Sequence, residues 1–195
     1  MEYAVEVKLL AITPNAENLI EQAGRLCYAS GDKTGTKADY LQIRVKQGHE
    51  SIIEHASATF YIKASRVLTH ELVRHRLASY SQRSQRYVKE SKADYIFPPE
   101  IKDKNGPEAE VFVQAMDAAW EAYRKLLAAG IKAEIARYVL PNACVTEIIC
   151  TWNFREIRHI INMRTSPAAL PEMRVVAGKI KDIMKIQSPS VFGDL

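Results

Sequence analysis

The sequence has few cysteines and lacks a long apolar run. Three cysteines occur among 195 residues, and Cys27, Cys144 and Cys150 are too few and too scattered for a disulfide scaffold or a four-ligand zinc site. No apolar run approaches the roughly 20 residues that a membrane span needs. Residues 1–6 do not begin a signal peptide, because no basic segment is followed by an apolar one. We therefore expect a protein of the reducing cytoplasm with no membrane partner.

Basic and acidic residues are nearly balanced in number but unevenly distributed. The chain contains 27 lysines and arginines against 23 aspartates and glutamates, a net charge of +4. The segment 63–92 has eight basic and two acidic residues, whereas the rest of the chain has 19 and 21. All of the basic excess lies in one short segment, which predicts an anionic partner.

The composition and the apolar pattern predict one α+β domain over residues 1–195. Hydrophobic and charged residues make up 47% and 26% of the chain, which is typical of a globular domain and excludes extensive disorder. Alternation predicts strands at 2–10 and 56–62, whereas 144–152 fits either a third strand or a buried helix. Helices are expected at about 13–27, 36–48, 65–76, 108–129, 134–140, 153–163 and 169–186.

Several helix ends carry capping residues. Thr13 is expected to cap the first helix, Thr36 and Asp39 resemble a capping box for the second, and Ser65 is expected to cap the third. The Ser-rich segment 79–91 has no helical apolar stripe, so it is predicted to be a loop.

The segment 71–87 contains four guanidiniums, an imidazole, three serine hydroxyls, two amides and two phenols. Guanidinium groups bind phosphate in bidentate fashion and stack on aromatic rings. If the preceding helix continues through this segment, Glu71 and His75 share a face, while Arg74 and Arg76 diverge by about 200°. From composition alone, a solvated basic loop and an RNA-binding surface remain open.

The order of the residues is more specific. Arg74-His75-Arg76, then Ser84 after seven residues, then Arg86-Tyr87, resembles the signature of flavin-dependent thymidylate synthases. Further blocks in the family's order are Gly48-His49-Glu50-Ser51, Glu54-His55, Ala136-Arg137-Tyr138-Val139-Leu140-Pro141, Trp152-Asn153-Phe154-Arg155 and Asn162-Met163-Arg164.

The resemblance implies that the chain makes dTMP from dUMP. The carbon would come from methylenetetrahydrofolate, and FAD reduced by NADPH would be the hydride source. It also implies a homotetramer with shared active sites and an α+β fold with a small mixed sheet flanked by helices. We expect the apolar helix at 108–129 to pack against a partner subunit, and we expect no nucleic-acid partner.

The resemblance also implies roles for individual residues, with His49 near the flavin and the substrate. The expected FAD contacts are Ser51, Arg74, His75, Arg76, Gln82, Asn153, Phe154, Arg155 and His159. The expected dUMP contacts are Glu71, Leu72, Val73, Arg74, Gln82, Arg83, Ser84, Gln85, Arg86, Arg137 and Arg164. Glu71 is expected to pair with one of the arginines.

Arg164 is the expected catalytic residue, since the resemblance implies that it polarises the uracil ring at N3 and O4. A guanidinium suits this task because it stabilises developing negative charge without exchanging a proton. Ser84 is expected to bind phosphate rather than to act as a nucleophile, and all three cysteines are expected to lie in the core with Trp120. Two histidine pairs, 49/55 and 70/75, lack the four-residue spacing of a helical zinc pair, so we expect no metal.

Overall fold

A four-stranded sheet forms the centre of the computed structural model, which describes residues 3–90, 93–101 and 105–195. Its strands are β1 (Glu6–Ile12), β2 (Ser57–Ser65), β3 (Ala78–Gln82) and β4 (Val145–Asn153). The strands lie in the order β1-β2-β4-β3, and each neighbouring pair is antiparallel. The expected mixed sheet is therefore wrong, because no described pair of strands is parallel. The expected three strands are also wrong, because β3 adds a fourth.

Helices surround this sheet. The α-helices are α1 (Ala16–Leu26), α2 (Tyr40–Lys46), α3 (Arg66–Leu72), α4 (Pro107–Ala128), α5 (Ala133–Ala136), α6 (Phe154–Arg164), α7 (Pro171–Gln187) and α8 (Pro189–Phe192). Short 3₁₀ helices cover Gly31–Lys33, Glu50–His55 and Arg137–Val139. The fold is a single α+β domain, as predicted. Among the helices described, none is both long enough and apolar enough to cross a membrane.

The main core lies on one face of β2 and β4. Successive side chains of a strand point to opposite faces, and in β2 this buries Phe60 and Ile62 completely. Phe60 packs beside Trp152 of β4, with ring centroids 5.9 Å apart. Helices α6 and α7 cover this face with buried side chains that include Ile157 and Val176. The segment 144–152 is thus resolved as a strand rather than a buried helix.

Strand β3 corrects the prediction of a loop over 79–91. It is an edge strand that pairs only with β4, so half of its side chains face solvent and polar residues suffice. Ser79 and Ser81 are exposed, whereas Tyr80 points inward. Residues 83–90 contain no helix or strand, and Ser91 and Lys92 lie outside the described residues.

The helix caps were predicted with mixed success. The Ser65 cap is confirmed, since its Oγ accepts the Leu68 main-chain N–H at 3.1 Å. Thr13 does not cap α1, which starts at residue 16, because its Oγ1 accepts the Ser57 main-chain N–H at 3.0 Å. The Thr36 hydroxyl donates to a preceding carbonyl, so the predicted capping box is wrong.

A second, smaller apolar cluster forms where α4 meets α5. Trp120 and Tyr123 of α4 pack there beside Cys144, which confirms Trp120 as a core residue. Cys144 and Cys150 are buried as predicted. Cys27 is exposed, contrary to prediction, because it follows the last turn of α1, beyond the buried residues of that helix. The packing of α4 against a partner subunit stays a prediction.

Candidate active site

The arginine-rich segment 74–76 lies in a turn between α3 and β3. Helix α3 ends at Leu72, so its predicted continuation through this segment is wrong. The Tyr80 hydroxyl reaches from β3 to the main-chain carbonyls of Leu72, at 2.8 Å, and of His75, at 2.7 Å. The same hydroxyl accepts from Nε1 of Trp152 at 3.1 Å. The sheet therefore positions the turn.

Arg74 and Arg76 are the accessible cations of this turn. Both are exposed, and neither side chain has a hydrogen-bond or ion-pair partner among the described residues. Guanidinium groups bind phosphate oxygens through charge-assisted hydrogen bonds. Both side chains are therefore available to bind an anionic ligand.

Arg164, the expected catalytic residue, is fixed at the end of α6 by two hydrogen bonds. Its Nη1 donates to Oε2 of Glu71 at 3.0 Å, and its Nε donates to Nε2 of His75 at 3.0 Å. Nδ1 of His75 lies 3.2 Å from Oε1 of Glu156. We call Glu71, His75, Glu156 and Arg164 the Arg164 network. The expectation that Glu71 pairs with an arginine is confirmed.

These contacts determine where the proton of His75 lies. An arginine N–H can only donate, so Nε2 accepts and the proton sits on Nδ1, which donates to the Glu156 carboxylate. His75 is 5% exposed. Burial lowers the pKa of His75 below its usual value, the charge of Arg164 lowers it further, and Glu156 opposes both. The imidazole is therefore neutral at neutral pH.

A second histidine adjoins the Arg164 network. His159 packs edge-on against His75 with ring centroids 5.8 Å apart. His75, Glu156 and His159 bring one possible ligand atom each to within 4.8 Å of one another. The expectation of no metal was based on the spacing of histidines along a helix. That spacing cannot detect possible ligands that come from a turn, as His75 does, and from a helix, as Glu156 and His159 do. Both ring nitrogens of His75 already bind protein groups, so it offers a metal ion no free lone pair.

The arginines of residues 83–86, which we call the 83–86 loop, are paired with acids. Arg83 lies 3.2 Å from Glu90 and 3.4 Å from Glu147. Nε of Arg86 lies 3.1 Å from Glu134. Unlike the cations of the turn, these arginines have their charge partly offset by neighbouring carboxylates.

The other polar residues of this region make mostly internal contacts. Oγ of Ser84 accepts the main-chain N–H of Arg86 at 3.2 Å, and in the described chain no imidazole or carboxylate contacts it. Without such a base, Ser84 is not activated as a nucleophile. Gln82 donates to two threonine hydroxyls at 3.0 and 3.3 Å. Gln85 is 6% exposed, and its Nε2 has no hydrogen-bond partner among the residues described.

Arg137 extends the basic group of the 83–86 loop. Its Nε donates to the main-chain carbonyl of Glu134, the residue whose carboxylate binds Arg86. Arg66 lies close by, since its pKa is lowered by burial and then by the charge of Arg137. Arg66 belongs to the basic segment 63–92 but was not among the contacts that the resemblance implies. No hydrogen bond or ion pair connects this basic group to the Arg164 network within the described ranges.

The junction of β4 and α6 holds other expected flavin contacts. Oδ1 of Asn153 caps α6 by accepting the main-chain N–H of Glu156 at 2.8 Å, which leaves the Asn153 amide NH₂ for a ligand. Phe154 is fully buried against Phe192, with ring centroids 5.2 Å apart. Phe154 and Leu72 are both 0% exposed as whole residues, so neither their side chains nor their main-chain atoms are accessible to a ligand.

Arg155 connects α6 to the 3₁₀ helix that precedes β2. It lies 3.3 Å from Glu50 and 2.5 Å from Glu54, which belong to that 3₁₀ helix. Ser51 is exposed in the same 3₁₀ helix, and His49 is exposed just before it. The structure thus brings Ser51 and Arg155 to one surface.

Comparison with known proteins resolves the family. The family model described as thymidylate synthase complementing protein matches residues 8–190. The chain belongs to this family. The resemblance stated from the signature residues is therefore confirmed.

Curated relatives of the family carry a specific name. A protein of Clostridium tetani named flavin-dependent thymidylate synthase is 40% identical over 213 residues, covering 96% of this chain and 85% of the relative. Proteins with the same name from Corynebacterium efficiens and Geobacter sulfurreducens are 43% and 40% identical, covering 92% and 97% of this chain and 79% and 86% of theirs. Their name states that these relatives depend on flavin and make thymidylate.

Proposed function

We propose that the chain is a flavin-dependent thymidylate synthase. It methylates dUMP to dTMP, with methylenetetrahydrofolate as the carbon donor and FAD, reduced by NADPH, as the hydride source. Family membership and relatives of about 40% identity over most of the chain support the activity. The observation that carries the proposal is the Arg164 guanidinium, oriented by Glu71 and His75 beside an arginine-rich turn.

Each basic group has a distinct task in this proposal. Arg164 binds the N3 and O4 edge of uracil and stabilises negative charge that develops on the ring. Arg74 and Arg76 hold the cofactor's pyrophosphate through charge-assisted hydrogen bonds. Arg86 and Arg137 bind the dUMP phosphate with Ser84, where phosphate oxygens replace the Glu134 carboxylate on Arg86. Bound flavin supplies the hydride.

A visible absorption spectrum and a coupled assay test the proposal. We expect the purified protein to show flavin absorbance, to oxidise NADPH when dUMP and methylenetetrahydrofolate are both present, and to release dTMP. A colourless protein that binds no added FAD and co-purifies with RNA would instead support nucleic-acid binding. Outside residues 63–92 the chain has 19 basic and 21 acidic residues, so it has no extended excess of positive charge to bind an RNA backbone, which argues against that alternative.

We further propose a homotetramer whose active sites combine residues of several subunits. The resemblance to the family implies both the tetramer and the sharing. Five of the six charged residues among the expected dUMP contacts fall into two groups, which are Glu71 with Arg164 in the Arg164 network, and Arg83, Arg86 and Arg137 around the 83–86 loop. Light scattering should give four subunits. At a dUMP concentration too low to saturate Arg86→Ala, mixing Arg164→Ala and Arg86→Ala subunits should restore part of the activity that each variant lacks alone, whereas a monomer or an absence of restoration contradicts shared sites.

We also propose a cytoplasmic location. None of the three cysteines is paired, and Cys27 is exposed. An exposed free thiol is typical of a reducing compartment. Fractionation of cells that express the full chain should recover it with cytoplasmic markers.

A further inference from the structure

Glu156 lies outside every role expected from the sequence, yet its carboxylate points into the site. It is 7% exposed, and Oε1 lies 3.2 Å from Nδ1 of His75. Its main-chain N–H is capped by Asn153, which fixes the first turn of α6. Burial of a carboxylate costs free energy unless hydrogen bonds or charges compensate it. Among the described residues, the hydrogen bond with His75 compensates for the burial of this carboxylate.

We propose that Glu156 is a positioning residue for Arg164 and that it acts through His75. The inference rests on the proposed function, in which Arg164 binds the uracil ring. The Glu156 carboxylate accepts a hydrogen bond from Nδ1–H of His75. Nε2 of His75 therefore carries no proton and accepts a hydrogen bond from Nε of Arg164. Glu71 binds the guanidinium at Nη1. Two points of attachment thereby fix the plane of the guanidinium.

The alternative tautomer of His75 explains why an acceptor at Glu156 matters. With no acceptor at Nδ1, the proton is free to occupy Nε2. Nε2–H then points at Nε–H of Arg164, and two donors cannot form a hydrogen bond. Arg164 would lose one of its two attachments. Displacing a catalytic group by about 1 Å can reduce the rate on the order of 100-fold.

Protonation of His75 also places a proton on Nε2, so Arg164 again loses its hydrogen bond to that atom. The position of Arg164 therefore depends on pH. Three titratable or charged groups around His75 lie on α6, namely Glu156, His159 and Arg164. Glu71 on α3 binds the far side of Arg164, and the Tyr80 hydroxyl on β3 binds the main-chain carbonyl of His75. Burial and Arg164 lower the pKa of His75, whereas Glu156 raises it. Removal of the Glu156 carboxylate therefore lowers the pKa further.

Two variants separate the hydrogen bond from the charge. Glu156→Leu removes both, and we expect kcat for dUMP-dependent NADPH oxidation to fall about tenfold, as for loss of other groups that orient an active-site residue. Glu156→Gln keeps an oxygen that can accept from Nδ1, so it should restore part of kcat. In both variants the acid limb of the kcat–pH profile should move to lower pH, because neither carries the carboxylate.

Glu21→Gln is the matched control. Glu21 is also buried, at 8% exposure, and its carboxylate lies 2.9 Å from Arg25 on α1, outside the network. This control should lose stability without moving the acid limb. Wild-type kcat and an unmoved acid limb in both Glu156 variants would overturn the inference.

A readout independent of activity uses ¹⁵N signals of the histidine rings in the full-length protein. The His75 signals are assigned by their loss in His75→Gln. We expect the Nδ1–H tautomer in the wild type and a shift towards Nε2–H in Glu156→Leu. An Nε2–H tautomer in the wild type contradicts the inference. If Glu156→Leu shifts the tautomer as expected but the wild-type protein makes no dTMP, the proposed function fails while control of the tautomer by Glu156 stands.

Discussion

The Arg164 network and the 83–86 loop place arginines beside carboxylates at almost the same distance, 3.0 Å for Arg164–Glu71 and 3.1 Å for Arg86–Glu134. Their surroundings differ, since the Arg164 side chain is 17% exposed and that of Arg86 is 57% exposed. Water and salt screen exposed pairs strongly, so the same geometry holds Arg164 firmly and Arg86 loosely. In the proposed function, burial and a second partner, rather than distance, distinguish Arg164, which orients the reacting ring, from Arg86, which exchanges its partner for a phosphate.

Arg164→Ala should have the largest effect. It removes the charge that stabilises the reacting ring and leaves Glu71 and Nε2 of His75 without their donor. We expect kcat at saturating dUMP to fall about 10²- to 10³-fold, as when one preorganised donor is removed from an active site. Arg124→Ala, which breaks an exposed pair on α4, is the control and should keep wild-type kcat. A rise in KM with unchanged kcat would mean that Arg164 only binds substrate.

Arg86→Ala should chiefly weaken dUMP binding. Loss of a charge-assisted hydrogen bond of about 1.5–3 kcal/mol corresponds to an approximately 10- to 100-fold rise in Kd. Calorimetric titration with dUMP measures it. Glu134→Gln should act in the opposite direction, because it frees Arg86 and removes a negative charge near the phosphate. Equal losses of affinity in both variants would show that the pair acts as one structural unit.

Acid should destabilise the protein through the Arg164 network rather than through the 83–86 loop. The pKa of His75 is lower in the folded chain than in the unfolded chain, so the unfolded chain takes up the proton first as the pH falls. The pKa of His75 in the unfolded chain is about 6.5, and above it the full free energy of unfolding is available. This stability is lost as the pH falls through the lower pKa that His75 has in the folded chain. Melting temperatures between pH 7 and pH 5 should decline less in His75→Gln than in the wild type. His70→Gln, at an exposed position, should retain the wild-type decline.

Ser84→Ala should have the smallest effect. The hydroxyl is uncharged, so we place its hydrogen bond to the phosphate at the low end of the range for bonds to charged groups, about 1.5 kcal/mol, and the Kd for dUMP should rise about tenfold. Turnover should remain measurable, because no described base contacts the hydroxyl. Binding and single-turnover measurements check both points. Complete loss of chemistry with unchanged dUMP affinity would identify Ser84 as a nucleophile.

Much of the fold follows from local patterns. The alternating residues of β2, the apolar stripe of α4 and the Ser65 cap are all predictable, because local periodicity and capping chemistry determine them. Strand β3 is not predictable in the same way, since only Tyr80 marks its inward face clearly and its pairing partner is remote in the sequence. The end of α3 is likewise set by the tertiary contact from Tyr80.

The candidate site is likewise predictable from the sequence only in part. The order of the signature residues identifies the family and most expected ligand contacts, but not which side chains touch. Glu156 lies 81 residues from His75, and Arg164 lies 93 residues from Glu71, so no local pattern indicates these pairs. The spacing of Asn153 and Glu156 is typical of a helix start, and in the structure Oδ1 of Asn153 accepts the main-chain N–H of Glu156. The spacing predicts nothing about the partner of the Glu156 carboxylate.

The Tyr80 hydroxyl has a consequence for the thermodynamics of cofactor binding. Burial raises the pKa of Tyr80 to about 12, so the hydroxyl remains a donor at any physiological pH. It holds the carbonyls of Leu72 and His75 before any ligand arrives. The main chain that carries Arg74 and Arg76 therefore loses its conformational entropy during folding, and little of that loss remains when a pyrophosphate binds. In the proposed function, this phenol thus increases affinity for a cofactor that it does not contact.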